Sequence, residues 1–395
     1  MLLDKSLAAL CLISLVSLTS PAQVSVTITN PDGSTINTSL PPGQAKKITD
    51  LPNVIVNTDV IERTVSKLKK AWKAKTIKKF KNKLRYSLKN FLGSLIPASL
   101  DIPAEFQQAY SSSESNNNLK SKAFVASGSD VNQNNTTIPK EDPLPKTATT
   151  TTVFLDLREK YPYCRSIKLI RDQSNCGSCW AFVTANTISD RFCIAKGTTR
   201  FMSPQDLLEC CVGCLLYSKE NCSGGYVHLA LYYMKNIGAC TGESYNDFSM
   251  CKPYFMEPNT DTEAISIPCK RSCAQPKVYP VTYTSDRLSI LNYIYFNGEA
   301  AIIEQLESGG TVILTFDLYE DFFTYKSGVY EYTVGEQLDV HSVRVIGYGI
   351  QDDVPYWLCA NTWGIEWGEN GFVKIKRGSN VCNIENYPAF APIIR

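Results

Sequence analysis

The chain has 395 residues, 44% of them hydrophobic and 11% aromatic, with 40 Lys and Arg against 38 Asp and Glu and with 15 cysteines but 2 histidines. That length accommodates one large domain plus accessory segments, and the composition suits a globular fold. The near-balanced charge gives no reason to expect a nucleic-acid partner, and no later segment is long enough to cross a membrane.

The N-terminus reads as an export signal over residues 1–22. Lys5 supplies the charge, Leu7 to Leu18 the apolar run, and Ser20 to Ala22 the small residues before a cut. The alternative is a buried first helix. Residues 24 to 60 alternate polar and apolar positions, and Asn37 heads a glycosylation sequon. From about Val60 to Leu95 apolar residues recur at helical spacing: Val65, Leu68, Trp72, Phe80, Leu84, Leu88 and Phe91. Lysines surround them, so a basic amphipathic helix is expected. Such a helix suits a membrane surface, a partner protein or nucleic acid. In an exported chain it more simply docks its apolar face on the acidic remainder of the molecule.

Charge is unevenly spread. Residues 1–152 hold about 19 Lys and Arg against 11 Asp and Glu, and the rest hold about 21 against 27. Residues 23–110 are assigned to a pro-region. Residues 111–152 are rich in Ser, Asn, Thr, Lys and Pro, and they read as a disordered linker in which Asn134 and Asn135 each head a sequon.

Residues 153–395 carry dense aromatics, glycines and 14 of the 15 cysteines. In an exported chain these cysteines are mainly disulfides, with zinc as the competing reading of the Cys176/Cys179 and Cys211/Cys214 pairs. One domain in two lobes is expected. The first, from about 160 to 275, is rich in helix and disulfide. The second, from about 276 to 390, has short β-branched runs at Thr311–Phe316, Val340–Tyr348, Tyr356–Ala360 and Gly371–Lys376, the pattern of an antiparallel sheet or barrel.

The most informative stretch is Gln173-Ser174-Asn175-Cys176-Gly177-Ser178-Cys179-Trp180-Ala181-Phe182. It sets Cys179 at the start of an apolar helical run. The unpaired N–H groups and partial positive charge of a helix N-terminus favour the thiolate, which is the nucleophilic form. The Gln173 amide lies within reach of an oxyanion forming beside it. Cys176-Gly177-Ser178-Cys179 is also a Cys-x-x-Cys motif, so a redox protein is a rival reading.

Cys176-Gly177-Ser178-Cys179-Trp180 resembles the signature of papain-family cysteine peptidases. The resemblance implies an α+β, papain-like two-lobed fold, in which a helical, disulfide-rich lobe faces a β-barrel-like lobe across the active-site cleft. Asp339-Val340-His341-Ser342 resembles the family's histidine strand and makes His341 the base, leaving His228 in a helix without a role. Asn361, in Asn361-Thr362-Trp363-Gly364, would orient the imidazole while Trp363 shields that contact. The implied activity is hydrolysis of peptide bonds in peptide or protein substrates by Cys179, His341 and Asn361, with Gln173 and the Cys179 N–H holding the oxyanion. The implied substrate-binding residues are Gly224, Gly225, Trp363, Tyr387 and Ser342. The chain would be a monomeric zymogen with no cofactor and no metal, inhibited by its own pro-region and sent through the secretory pathway to the lysosome or the extracellular space.

Leu207-Leu208-Glu209-Cys210-Cys211, Cys251-Lys252-Pro253-Tyr254 and Tyr325-Lys326-Ser327-Gly328-Val329-Tyr330 resemble cathepsin B in particular. By that pattern the disulfides are Cys164–Cys193, Cys176–Cys222, Cys210–Cys269, Cys211–Cys214 and Cys251–Cys273, leaving Cys240, Cys359 and Cys382 unassigned. The chain departs from it in three places. Phe255 to Pro268, where cathepsin B has its two-histidine occluding loop, has no histidine and no internal cysteine. Tyr387 stands where cathepsin B has a pocket glutamate. Ser174-Asn175 replaces the usual Gly-Ser, an exchange with the capacity to shift the Gln173 amide. A catalytically weak or inactive binding or matrix protein is the rival within the same family.

Overall fold

The computed structural model describes residues 12–20, 23–29, 35–40, 58–68, 70–75, 80, 150–215, 221–258 and 267–395. The expected linker up to Thr149, its two sequons and all of the expected pro-region beyond Phe80 lie outside these residues. Near the N-terminus β1 (Leu12–Ser20), β2 (Gln23–Thr29) and β3 (Thr35–Leu40) pair antiparallel in that order. β1 lies within the run read as an export signal, and Asn37 falls on β3.

Helix α1 (Thr58–Lys67) carries Asp59 in its first turn and Lys67 in its last, matching the helix dipole, and it buries Ile61 and Val65. The helical pattern expected to run on to Leu95 is interrupted here. The chain straightens into β4 (Trp72–Ala74), which pairs antiparallel with β8 (Tyr325–Tyr330), Trp72 opposite Gly328. Trp72 is 2% exposed. Its indole lies 5.1 Å from the Tyr330 ring and donates its N–H to the Glu331 carbonyl at 3.0 Å. Burial of a whole indole with its donor satisfied outweighs the helix preference of these residues, which is about 0.7 kcal/mol each at most. Gly328 admits this strand because a Cβ there would meet the Ala71 carbonyl at 2.2 Å.

The main sheet adds β5 (Thr151–Asp156), β6 (Asn292–Phe296), β7 (Val312–Tyr319), β9 (Gln337–Gln351), β10 (Val354–Ala360), β11 (Phe372–Lys376) and β12 (Ala389–Ile393). Its order is β4-β8-β11-β10-β9-β7-β12-β6, with β5 also paired to β9. The order is open, and the β8–β11 pair is parallel, a departure in detail from the antiparallel expectation. Thr151 and Thr152, at the end of the range read as linker, pair with Gln351 and Ile350.

The helical side is built from α2 (Cys179–Lys196), α3 (Pro204–Cys210) and α4 (Val227–Asn236). α2 is buried on every face from Cys179 to Arg191, because it has helices on one side and the sheet on the other. Gly197 ends it in the left-handed conformation at φ 72°. Ser203 caps α3 by accepting from the Asp206 N–H at 3.1 Å. The lobes exchange segments: Ile313 and Phe390 from the sheet pack into the helical core. Across the junction Arg344 of β9 donates to Asp190 of α2 at 2.7 Å, both side chains being at most 2% exposed.

Cys164–Cys193, Cys176–Cys222, Cys210–Cys269, Cys211–Cys214 and Cys251–Cys273 are bonded. Cys179, Cys240, Cys359 and Cys382 lie outside these bonds. With Cys176 joined to Cys222, Cys176 and Cys179 do not form a redox dithiol, and with Cys211 joined to Cys214 neither Cys-x-x-Cys pair is a zinc site.

Candidate active site

Cys179 is the first residue of α2, and Ser178 at the N-cap makes no side-chain cap, so the helix end acts on the thiol undiluted by a capping hydroxyl. Cys179 is fully buried, as is His341. α2 lies against β9, the strand that carries His341.

His341 Nε2 lies 2.8 Å from Asn361 Oδ1. The same oxygen accepts the Thr362 N–H at 2.8 Å, and a backbone donor facing it identifies that atom as the amide oxygen. Nε2 must therefore carry the hydrogen, and Nδ1, which has no hydrogen-bond partner among the described residues, keeps the lone pair. This tautomer leaves Nδ1 able to accept a proton. Burial holds the imidazole down at about 4, against the weaker upward pull of Asn361.

Trp363 covers the pair. Its ring is 4.8 Å from His341 and stacks on Phe323 at 4.7 Å. From the N-terminal segment Phe80, itself fully buried, meets Trp363 edge-on at 5.4 Å and Phe323 at 4.9 Å. An N-terminal side chain therefore packs on the wall of the His341–Asn361 pair.

Gln173 is fixed to the Asn361 side of the site. Its N–H donates to the Thr362 carbonyl at 2.8 Å, and its Oε1 accepts the Thr362 hydroxyl at 2.5 Å. With the oxygen so identified, Nε2 faces the loop before Cys179 and donates to the Cys176 carbonyl at 2.8 Å. Ser174, next in the chain, has φ 54°. A non-glycine residue in this left-handed region carries about 1–2 kcal/mol of strain. The Ser174 N–H donates to Asp172 Oδ1 at 2.8 Å, an Asx-type turn that offsets part of it. Gln173 thus keeps its anchors on Thr362 and Cys176 despite the Ser174-Asn175 exchange.

The remaining expected residues are spread around this centre. Gly225 lies over the Trp180 ring, where a Cβ would come within 2.6 Å, and Gly224 has φ 99°. Ser342 is buried on the face of β9 opposite His341 and shares a hydrogen bond with Thr315 at 2.6 Å. Tyr387 donates its hydroxyl to Asp317 Oδ1 at 2.7 Å, and Asp317 also accepts from the Asn383 amide at 2.6 Å. Ser342 and Tyr387 thus make their hydrogen bonds to Thr315 and Asp317 and not to the His341–Asn361 pair. His228 is buried in α4 with its ring 5.5 Å from Tyr226, and burial depresses it to about 4. Sequence reasoning missed Thr362, whose hydroxyl orients Gln173, and Tyr254, whose hydroxyl donates to the Gln173 carbonyl at 2.9 Å. Thr362 is marked only by following Asn361, and Tyr254 only by its place in Cys251-Lys252-Pro253-Tyr254, which says nothing of a contact with Gln173.

Known proteins resemble this chain in sequence and in fold. The papain family cysteine protease profile matches residues 152–392. A cathepsin B-like cysteine proteinase 4 of Caenorhabditis elegans is 40% identical over 261 residues, which is 62% of this chain and 74% of that protein. A gut-specific cysteine proteinase of the same organism is 42% identical over 237 residues, covering 58% of this chain and 70% of that protein. Among solved structures, procathepsin B S9 from Trypanosoma congolense superposes with a TM-score of 0.64 at 26% identity, covering 86% of this chain and 99% of that one.

Proposed function

Because the chain belongs to the papain family of cysteine proteases, we propose that it is a cysteine endopeptidase made as a zymogen, with Cys179 as nucleophile, His341 as acid and base, and Asn361 as its orienting group. The observation that supports this most strongly is the His341–Asn361 contact, which fixes the hydrogen on Nε2 and keeps Nδ1 as the proton acceptor. His341 takes the Cys179 proton, and the thiolate attacks the peptide carbonyl. The Gln173 amide and the Cys179 N–H hold the oxyanion. His341 then protonates the departing amine as the C–N bond breaks, leaving a thioester on Cys179. Water, giving its proton to His341, hydrolyses the thioester to the acid and restores the thiol. Labelling by an epoxide-type thiol inhibitor is expected in the matured protein and lost in Cys179→Ala; equal labelling of both would overturn the assignment.

In the buried state His341 favours its neutral form. Exposure of the cleft restores water to the imidazole and favours the imidazolium that accompanies the thiolate. The pro-region is the proposed cover. It contributes Trp72 to the edge of the sheet and Phe80 against Trp363, and the superposed S9 structure is itself of a proform. Among the described residues no helix is long and apolar enough to cross a membrane, and the lysosome or the extracellular space is the proposed destination.

The pro-region contact contains an ion cluster. Glu331 accepts Lys70 at 2.9 Å and Lys376 at 3.0 Å. Although partial burial alone would raise the Glu331 carboxyl, the two lysines outweigh it and hold the pKa below its ordinary value of 4.5. A depressed carboxyl stabilises the contact at pH values above 4.5 and loses that contribution as pH falls through its own lower value. The Glu331 part of the contact should therefore persist at pH 5–6 and weaken only in stronger acid. Zymogen maturation should be faster in acid than at neutral pH, with Glu331→Gln selectively removing the part of the acceleration below about pH 4.5. Equal maturation rates at neutral and acidic pH would contradict the account.

With no histidine between Phe255 and Pro268, release of C-terminal dipeptides should be much slower than internal cleavage of a blocked peptide. Comparable efficiencies in a paired assay would refute endopeptidase preference. Tyr387, tied to Asp317, gives an aromatic in place of an acidic wall, so apolar or aromatic P2 residues should lead a P2 library and Arg should not.

A further inference from the structure

Ser174 does more than occupy a turn. At φ 54° it holds a conformation that glycine adopts freely, yet it presents a hydroxyl there. That hydroxyl donates to the Glu257 carbonyl at 2.5 Å, reaching 83 residues along the chain to the turn that follows Tyr254. The same turn is held at two further points. The Tyr254 hydroxyl donates its one hydrogen to the Gln173 carbonyl at 2.9 Å, so in its 3.1 Å contact with Ser178 the serine is the donor. The Phe255 N–H donates to Gln205 Oε1 at 3.1 Å. Two of the attachments therefore end on Ser174 and Ser178, the residues that follow Gln173 and precede Cys179.

We infer that Ser174 is a positioning residue, clamping the 255–258 turn beside the segment that carries Gln173 so that this turn forms a fixed wall for extended peptide substrates. The inference rests on the endopeptidase reading above. Glycine at this position would keep the backbone and lose the clamp, which separates the two contributions of Ser174. Gln173 is anchored independently through Thr362 and Cys176, so release of the turn leaves the oxyanion donor in place. The Ser174 hydroxyl thus acts on how a long substrate is received and not on bond breaking.

The test is Ser174→Gly in the full chain and in its matured form. Hydrogen–deuterium exchange of the full chain should rise at residues 255–257, with the melting temperature close to the parent's. In kinetics of the matured form, kcat on a short amide substrate should stay within about twofold, while KM for a peptide extended on both sides of the cleaved bond rises several-fold, on the order of three to ten. Unchanged exchange at residues 255–257 would overturn the clamp. An equal fall in kcat on both substrates would overturn the assignment to the turn, since it would place Ser174 in the oxyanion machinery. Exchange is read without activity, so absence of hydrolysis by parent and variant alike would defeat the peptidase reading while still deciding the clamp.

Discussion

His341→Ala should lower kcat for peptide hydrolysis by on the order of a millionfold, with the fold retained. His228 is the other histidine, and it lies buried in α4 against Tyr226 without a place beside Asn361, so no second imidazole is available as base. Asn361→Ala should be milder, on the order of a thousandfold, because the base survives but its tautomer and ring orientation are no longer imposed. The two variants differ in a way that initial-rate kinetics can read. Asn361→Ala should keep a measurable rate that titrates with a histidine pKa, whereas His341→Ala should lose that limb of the pH profile. Near-parental activity in His341→Ala would remove His341 from the mechanism.

Arg344→Met is expected to destabilise the domain by about 3–5 kcal/mol, since it leaves the Asp190 carboxylate buried without its cation. In a domain of this size the melting temperature should fall by roughly 6–20 °C. Arg344 also donates to the carbonyls of Ser166 at 3.0 Å and Leu169 at 2.9 Å, so the loss extends to the segment before Gln173. The double variant Asp190→Leu/Arg344→Met should recover much of the stability, because an apolar pair removes the stranded charge. A single variant as stable as the parent would show that the ion pair is not the strut between α2 and β9. Arg344 is three residues from His341, and Asp190 lies on the helix that begins at Cys179, so the pair braces the two elements that carry the proposed chemistry.

The residues of the proposed site are those that chemistry marks in the local sequence. Cys179 announced itself by a helix start behind a Cys-Gly-Ser stretch, and a supply of two histidines left little choice of base. Contacts set by the tertiary fold were not legible. The Val60–Leu95 stretch carries a helical period, but Trp72 is claimed by an exposed sheet edge and a ring of tyrosines, and no local signal records that opportunity. Tyr254 lies 81 residues from the Gln173 carbonyl it binds, a separation that leaves no pattern in either segment. The lobe boundary was blurred for the same reason: β5 joins a sheet whose other strands, β4 apart, begin at Asn292.

That placement of β5 bears on the order in which the chain can be completed during synthesis. Thr151 pairs with Gln351, and Ala389 pairs with Phe296, so the first strand of the domain waits for a partner about 200 residues later and the last closes only at the end. Contacts of such long range form slowly and late. A nascent chain emerging from the ribosome can therefore display Cys179 and the disulfides of the helical lobe well before β9 is clasped on both sides. The histidine strand acquires its full set of neighbours only when translation is essentially finished.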